Sequence, residues 1–135
     1  MKRVLYDTNV LLDVLLKREP HFAASAVALD AVGKSKVEGY IAGHAVTTLA
    51  YLLQRQLGSA KGRTVLADLL SKMRVAPVTD AAVRRALVGP FSDFEDAVSH
   101  AVAQEVGVSV IVTRNVRDFA KGSIPAVLPE TFHPE

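Results

Sequence analysis

Arg3-Val4-Leu5-Tyr6-Asp7-Thr8-Asn9-Val10-Leu11-Leu12 is the stretch whose reading decides the fold of this chain. Its apolar opening predicts a buried strand, and the spacing of Val10, Leu11, Val14 and Leu15 predicts a helix that Thr8 or Asn9 caps. Asp7 therefore falls where strand gives way to helix. In an open parallel sheet that position is the carboxyl edge, where ligands and catalytic groups collect. Asp-Thr-Asn is also ordinary turn and cap chemistry, so Asp7 alone does not identify a site.

Working outward, Pro20 suits the first turn of a second helix, in which Phe22, Ala26 and Leu29 recur at helical spacing until Gly33 stops it. Val37 to Ala42 reads as a second strand with Gly39 a weak point in it. Gly43-His44 turns the chain into an apolar helix, Ala45 to Leu57, and a further helix follows from Ser59 to Met73. Arg74 to Val78 reads as an edge strand because Pro77 lies inside it. A short helix, Ala81 to Val88, capped by Thr79-Asp80, and a longer one, Ser92 to Val106, precede the clearest strand, Val108 to Thr113. Asn115 to Lys121 predicts a short turn or helix, and Ile124 to Leu128 a small last strand. Strands separated by helices imply right-handed crossovers and a parallel sheet covered on both faces.

The chain has 135 residues, half of them hydrophobic and 22% charged. It is long enough for one domain, residues 1–135, with a core that needs no staples. With no cysteine, thiol nucleophiles, thiolate zinc sites and disulfide frameworks are excluded. No signal peptide or bilayer-spanning run is apparent, so a soluble, cytoplasmic protein with no membrane contact is expected. The formal charge of +2 is too small to announce a nucleic-acid binder by itself.

The acidic residues of interest lie in three places: Asp7, the run Asp93-Phe94-Glu95-Asp96, and Asp118. On a helix Asp93, Asp96 and His100 can share one side while Phe94, Ala97, Val98, Ala101 and Val102 meet the core. For Asp93 and Glu95 a favourable interaction with the helix dipole is explanation enough. Asp96 sits beside a packed face, where charge is seldom placed unless something pairs it. Carboxylates meeting in one cleft raise one another's pKa unless a cation neutralises them, and hard oxygen ligands select Mg²⁺ or Mn²⁺. Such ions suit phosphoryl chemistry. Thr113-Arg114-Asn115 and Arg117-Asp118-Phe119 add two guanidinium groups suited to phosphate oxygens, and Phe119 reads as a core anchor.

Taken in order, Asp7-Thr8-Asn9, Asp93-Phe94-Glu95-Asp96-Ala97, Thr113-Arg114-Asn115 and Asp118-Phe119 make the chain resemble a PIN domain, the metal-dependent nuclease module of VapC-type bacterial toxins. The resemblance implies a three-layer α/β/α sandwich with a four- to five-stranded parallel sheet. It also implies an acidic pocket for Mg²⁺ or Mn²⁺ and endonucleolytic cleavage of RNA. By it Asp7 and Asp96 are the principal metal ligands and Asp118 completes or supports the site. Thr8, Asn9 and Thr113 hold its loops, with Asn115 where many members carry another acid. The expected partners are RNA, a cognate antitoxin and a second copy of the chain.

The usual glutamate on the helix after the second strand is missing, because no acid occurs between Glu38 and Asp68. Thr47 or Thr48 takes that position, and Glu95 is the acid expected to substitute from the other side. A PIN-like module that binds RNA or protein without cleaving is the alternative this departure raises. An Asp after the first strand is also where a phosphatase or receiver-like domain carries its nucleophile, but the accompanying Ser/Thr and late Lys are not evident.

Overall fold

A computed structural model describes residues 1–134. Strands β1 (Lys2–Tyr6), β2 (Val37–Ala42), β3 (Arg74–Ala76), β4 (Val110–Val112) and β5 (Ala126–Val127) form one sheet in the order β3-β2-β1-β4-β5. Every pairing is parallel. Between the strands run α1 (Thr8–Leu15), α2 (Phe22–Gly33), α3 (Gly43–Leu57), α4 (Ser59–Leu70), α5 (Asp80–Val88) and α6 (Phe94–Glu105). This is an α/β fold with a five-stranded parallel sheet flanked by helices.

Successive strand residues point to opposite faces, so consecutive burial means that both faces are covered. Val4, Leu5 and Tyr6 are at most 2% exposed, and Ile111 and Val112 are fully buried. Tyr6 carries its hydroxyl into this interior, donating to Ala28 O at 2.7 Å, and burial pushes its pKa up.

From β1 the chain moves to β2 and then β3 on one side, and α5 and α6 bring it back to β4 on the other. The order reverses at β1, so the crevice outside the carboxyl ends of β1 and β4 is a topological switch point, the usual binding position in open α/β sheets. Asp7 stands there.

Several boundaries differ from the sequence expectation. Asp7, rather than Thr8 or Asn9, caps α1. Gly43 and His44 lie inside α3 instead of turning into it. The strand expected over Val108 to Thr113 is confined to Val110–Val112, the residues in register with Val4–Tyr6 of β1, although the Ser109 N–H still reaches Arg3 O at 2.9 Å and the Thr113 N–H reaches Val127 O at 3.0 Å. Pro77, which has no N–H to donate, ends the edge strand β3 at Ala76. α6 starts at Phe94, and Phe94 itself is 49% exposed rather than packed in the core. His100 is the reverse case: it is buried, not on an open polar face.

His100 Nε2 accepts the Ile124 N–H at 3.2 Å, and its ring lies 5.0 Å from that of Phe91. Burial, and then Arg85, holds its pKa below the ordinary value. Gly122 closes the pocket, since a Cβ there would stand 2.5 Å from His100 Nε2 and 2.8 Å from Phe91 Cζ. Gly122→Ala is expected to lower unfolding stability by about 1–3 kcal/mol, the cost of overpacking, seen as a lower urea midpoint with unchanged slope.

Candidate active site

The ladder between β1 and β4 extends one residue past the strands, where the Asp7 N–H donates to Val112 O at 2.9 Å. Asp7 Oδ1 accepts the Thr8 N–H at 2.9 Å and Oδ2 accepts the Thr113 hydroxyl at 2.8 Å. Thr113 is fully buried, and its Oγ1 also accepts the Asn115 N–H at 2.9 Å. One hydroxyl thereby orders both the carboxylate after β1 and the loop after β4. Burial raises the Asp7 pKa; the bonds from Thr113 and Thr8 and the charge of Arg114 oppose that, and Asp118 adds to it.

Asp93 caps α6 by accepting the Asp96 N–H at 2.9 Å, which fixes Asp96 in the first turn. The Asp96 carboxyl is pushed up to about 7, by burial first and then by Asp93, Asp7, Asp118 and Glu95. Asp118 lies in a short 3-10 helix, Val116–Phe119, its N–H donating to Asn115 O at 3.0 Å, with Phe119 buried beneath it. Carboxylates from three distant segments therefore share one electrostatic neighbourhood. Asp93, Glu95, Asn115, Arg117 and Asp118 are exposed; Asp7, Thr8, Asn9, Asp96 and Arg114 are half-buried.

Arg114 has another engagement. Its guanidinium meets Asp13, with Nε 3.0 Å from Oδ2 and Nη2 3.3 Å from Oδ1, and Nη1 lies 3.3 Å from His21 Nε2. Arg18 donates from Nε to Asp13 Oδ1 and from Nη2 to Asn9 Oδ1, both at 3.2 Å, and Ser25 donates to Asp13 Oδ2 at 3.1 Å. Asp13 is fully buried. It fastens α1 to α2 and to the loop after β4, and it draws on Arg114 as a structural counter-charge. Sequence reasoning passed over Asp13 and Arg18, although an acid inside the apolar run Val10-Leu11-Leu12-Asp13-Val14-Leu15 signals a buried, paired charge.

α3 offers no acid. Thr48 is exposed on it, and Thr47 donates back to His44 O at 3.0 Å. His44 Nε2 lies 3.2 Å from Ser99 Oγ, one turn along α6 from Asp96, and its Nδ1 is buried without a partner among the described residues. The 270 Å³ recess lined by Val14, Leu29, Leu69 and Met73 lies where α2 and α4 return toward the amino ends of β2 and β3, away from these groups.

Among the described residues no three acidic or imidazole side chains are close enough to cage an ion directly. Mg²⁺ does not require a cage: it is commonly held by one or two carboxylates and keeps several waters. Mutually repelling, hard-oxygen carboxylates at one sheet edge match that requirement, and the missing helix glutamate lowers the charge available for it.

A family model described as PIN domain matches residues 3–117. No curated protein matches the chain. Among solved structures, a chain of VapBC2 from Rickettsia felis bound to a promoter DNA fragment superposes with TM-score 0.72 at 13% identity, covering 93% of this chain and 98% of that one. A toxin–antitoxin complex from Klebsiella pneumoniae gives 0.68 at 22%, covering 93% and 97%. Mycobacterium tuberculosis VapC20, described as a toxin cleaving the sarcin–ricin loop, gives 0.63 at 22%, covering 80% and 86%. At these identities the likeness is one of fold.

Proposed function

The chain belongs to the PIN domain family, and from that membership we propose that it is a Mg²⁺- or Mn²⁺-dependent endoribonuclease, with residues 1–135 forming one such domain. The observation that carries this reading is the gathering of Asp7, Asp96 and Asp118 at one mouth at the switch point, where Asp118 acts on both of the others and Asp7 acts on Asp96. In it Asp7 and Asp96 hold the cation, with Asp118 and Glu95 supporting. When bound, the ion supplies neutralising charge and a more acidic water for attack on a phosphodiester.

The chain's own residues do the rest. Thr113 and the Thr8 N–H fix both Asp7 oxygens while leaving each a further lone pair to offer. Asp93 holds the first turn of α6, and so Asp96, in place. Arg117, exposed beside Asp118, is the cation that steadies a substrate phosphate. Arg114 is assigned instead to Asp13 and to moderating the charge of Asp7.

A toxin role in the cytoplasm, with an antitoxin and a second copy as partners, extends this reading. The toxin–antitoxin neighbour and the RNA-cleaving one support it. Among the described residues no helix is long and apolar enough to cross a membrane. The absence of acid from α3 and, among the described residues, of a ready cage favours a second reading, a PIN-fold module that binds without cutting.

One assay separates the two. Single-stranded RNA is expected to be cut in millimolar Mn²⁺ or Mg²⁺, spared in EDTA and cut again when Mn²⁺ is restored. Cleavage that persists in EDTA refutes the metal-dependent reading, and calorimetry showing no Mn²⁺ uptake alongside intact RNA selects the binding module.

A further inference from the structure

We propose that the outer face of α3, from Thr48 through Tyr51 to Arg55, continued by Lys61 and Arg63 at the start of α4, is the track along which single-stranded RNA leaves the acidic mouth. The proposal names the substrate path and rests on the nuclease reading for the identity of the strand.

α3 begins at the carboxyl edge of β2, the edge that also carries Asp7. Residues 48, 51 and 55 are spaced by three and four, so they share one face of the helix. From Thr48 to Arg55 that face spans about 10 Å at the usual rise. All three are exposed, Tyr51 at 59%. The Arg55 guanidinium stands 5.7 Å from the Tyr51 ring centroid, and its Nη1 donates to the Tyr51 hydroxyl at 3.4 Å. An exposed ring with a cation held over it combines a stacking surface with a phosphate contact, the pairing that single-strand binders use.

Charge marks this face as suited to a polyanion. Several exposed cations are matched by an acid four residues before them, Lys34 with Asp30, Lys72 with Asp68 and Arg84 with Asp80, and this stretch has no such acid. Residues 39–67 contain Arg55, Lys61 and Arg63 and no acid at all. Among the described residues none of these three is paired with a carboxylate. A polyanion held at an acidic mouth gains from an uninterrupted positive path beyond it. A duplex keeps its bases stacked inside, so an isolated surface ring suits an unpaired strand.

The test is fluorescence anisotropy of a short fluorescein-labelled single-stranded RNA in Ca²⁺ buffer, with the full chain. Tyr51→Ala is expected to weaken binding about 5–100-fold, the range for losing one stacked base, while Tyr51→Phe binds as the wild type. Arg55→Gln with Lys61→Gln is expected to flatten the salt dependence by roughly 0.7 for each cation removed. A duplex probe should not respond to Tyr51→Ala. Equal single-strand affinity for Tyr51→Ala and wild type overturns the track. So does a shift from dimer to monomer in sedimentation with affinity unchanged, which would assign the face to contact between copies. A parallel cleavage assay in Mn²⁺ keeps the two readings apart. Cutting with unaltered Tyr51→Ala affinity removes the track and leaves the nuclease; no cutting with lost affinity does the opposite.

Discussion

Asp13→Ala is expected to lower unfolding stability by about 3–5 kcal/mol, the cost of removing one partner from a buried ion pair. Asp13 is fully buried and takes hydrogen bonds or ion-pair contacts from Arg18, Arg114 and Ser25. Removing its carboxylate leaves the guanidinium of Arg114, 28% exposed, without its ion-pair partner. Against a typical margin of about 5–15 kcal/mol the loss is large enough to see in any urea titration. The same change frees the loop that carries Thr113 and Asn115, so RNA cleavage should fall even under conditions where the variant remains folded. A loss below about 1 kcal/mol would mean that the Arg18 and Arg114 contacts behave as a solvated surface pair.

Asp96→Asn separates activity from stability in opposite directions. Cleavage is expected to drop by at least about 100-fold, since even the outer partners of a metal site are commonly worth 10–100-fold. In metal-free buffer the variant should melt higher than wild type. The Asp96 carboxyl is raised from 3.8 to about 7, so between those pH values the folded protein keeps a proton that the unfolded chain has released. Stability of the wild type therefore falls as pH rises through that window, whereas asparagine carries no such penalty. The advantage of the variant should be absent below pH 3.8 and full above about pH 7. Melting curves in EDTA at pH 4 and pH 8 read it directly. Undiminished cleavage by Asp96→Asn would refute the assignment of Asp96, and an equal melting point at both pH values would refute its crowding by neighbouring acids.

Much of the fold was legible because its signals are local. Val37–Ala42 is the second strand with the boundaries its apolar run predicts, Thr79 caps α5 through the Ala82 N–H, and Phe119 anchors its turn in the core. Local rules failed where packing overrode them. Asp7 took the cap from Thr8 and Asn9 because the Thr8 N–H reaches its carboxylate directly, while Arg18 occupies Asn9. His100 went inside because Gly122 leaves room for its ring and the Ile124 N–H gives it a donor.

The linear sequence by itself determined the alternation of strand and helix, the oxygen-rich and thiol-free chemistry, and the three acidic segments, since each follows from spacing or composition within a few residues. Only the tertiary structure decided that those segments interact, and that Arg114 faces Asp13 rather than being free for a phosphate. The reason is distance along the chain. Asp7 and Thr113 meet because parallel pairing sets β4 beside β1, and no local preference encodes a contact between residues a hundred positions apart.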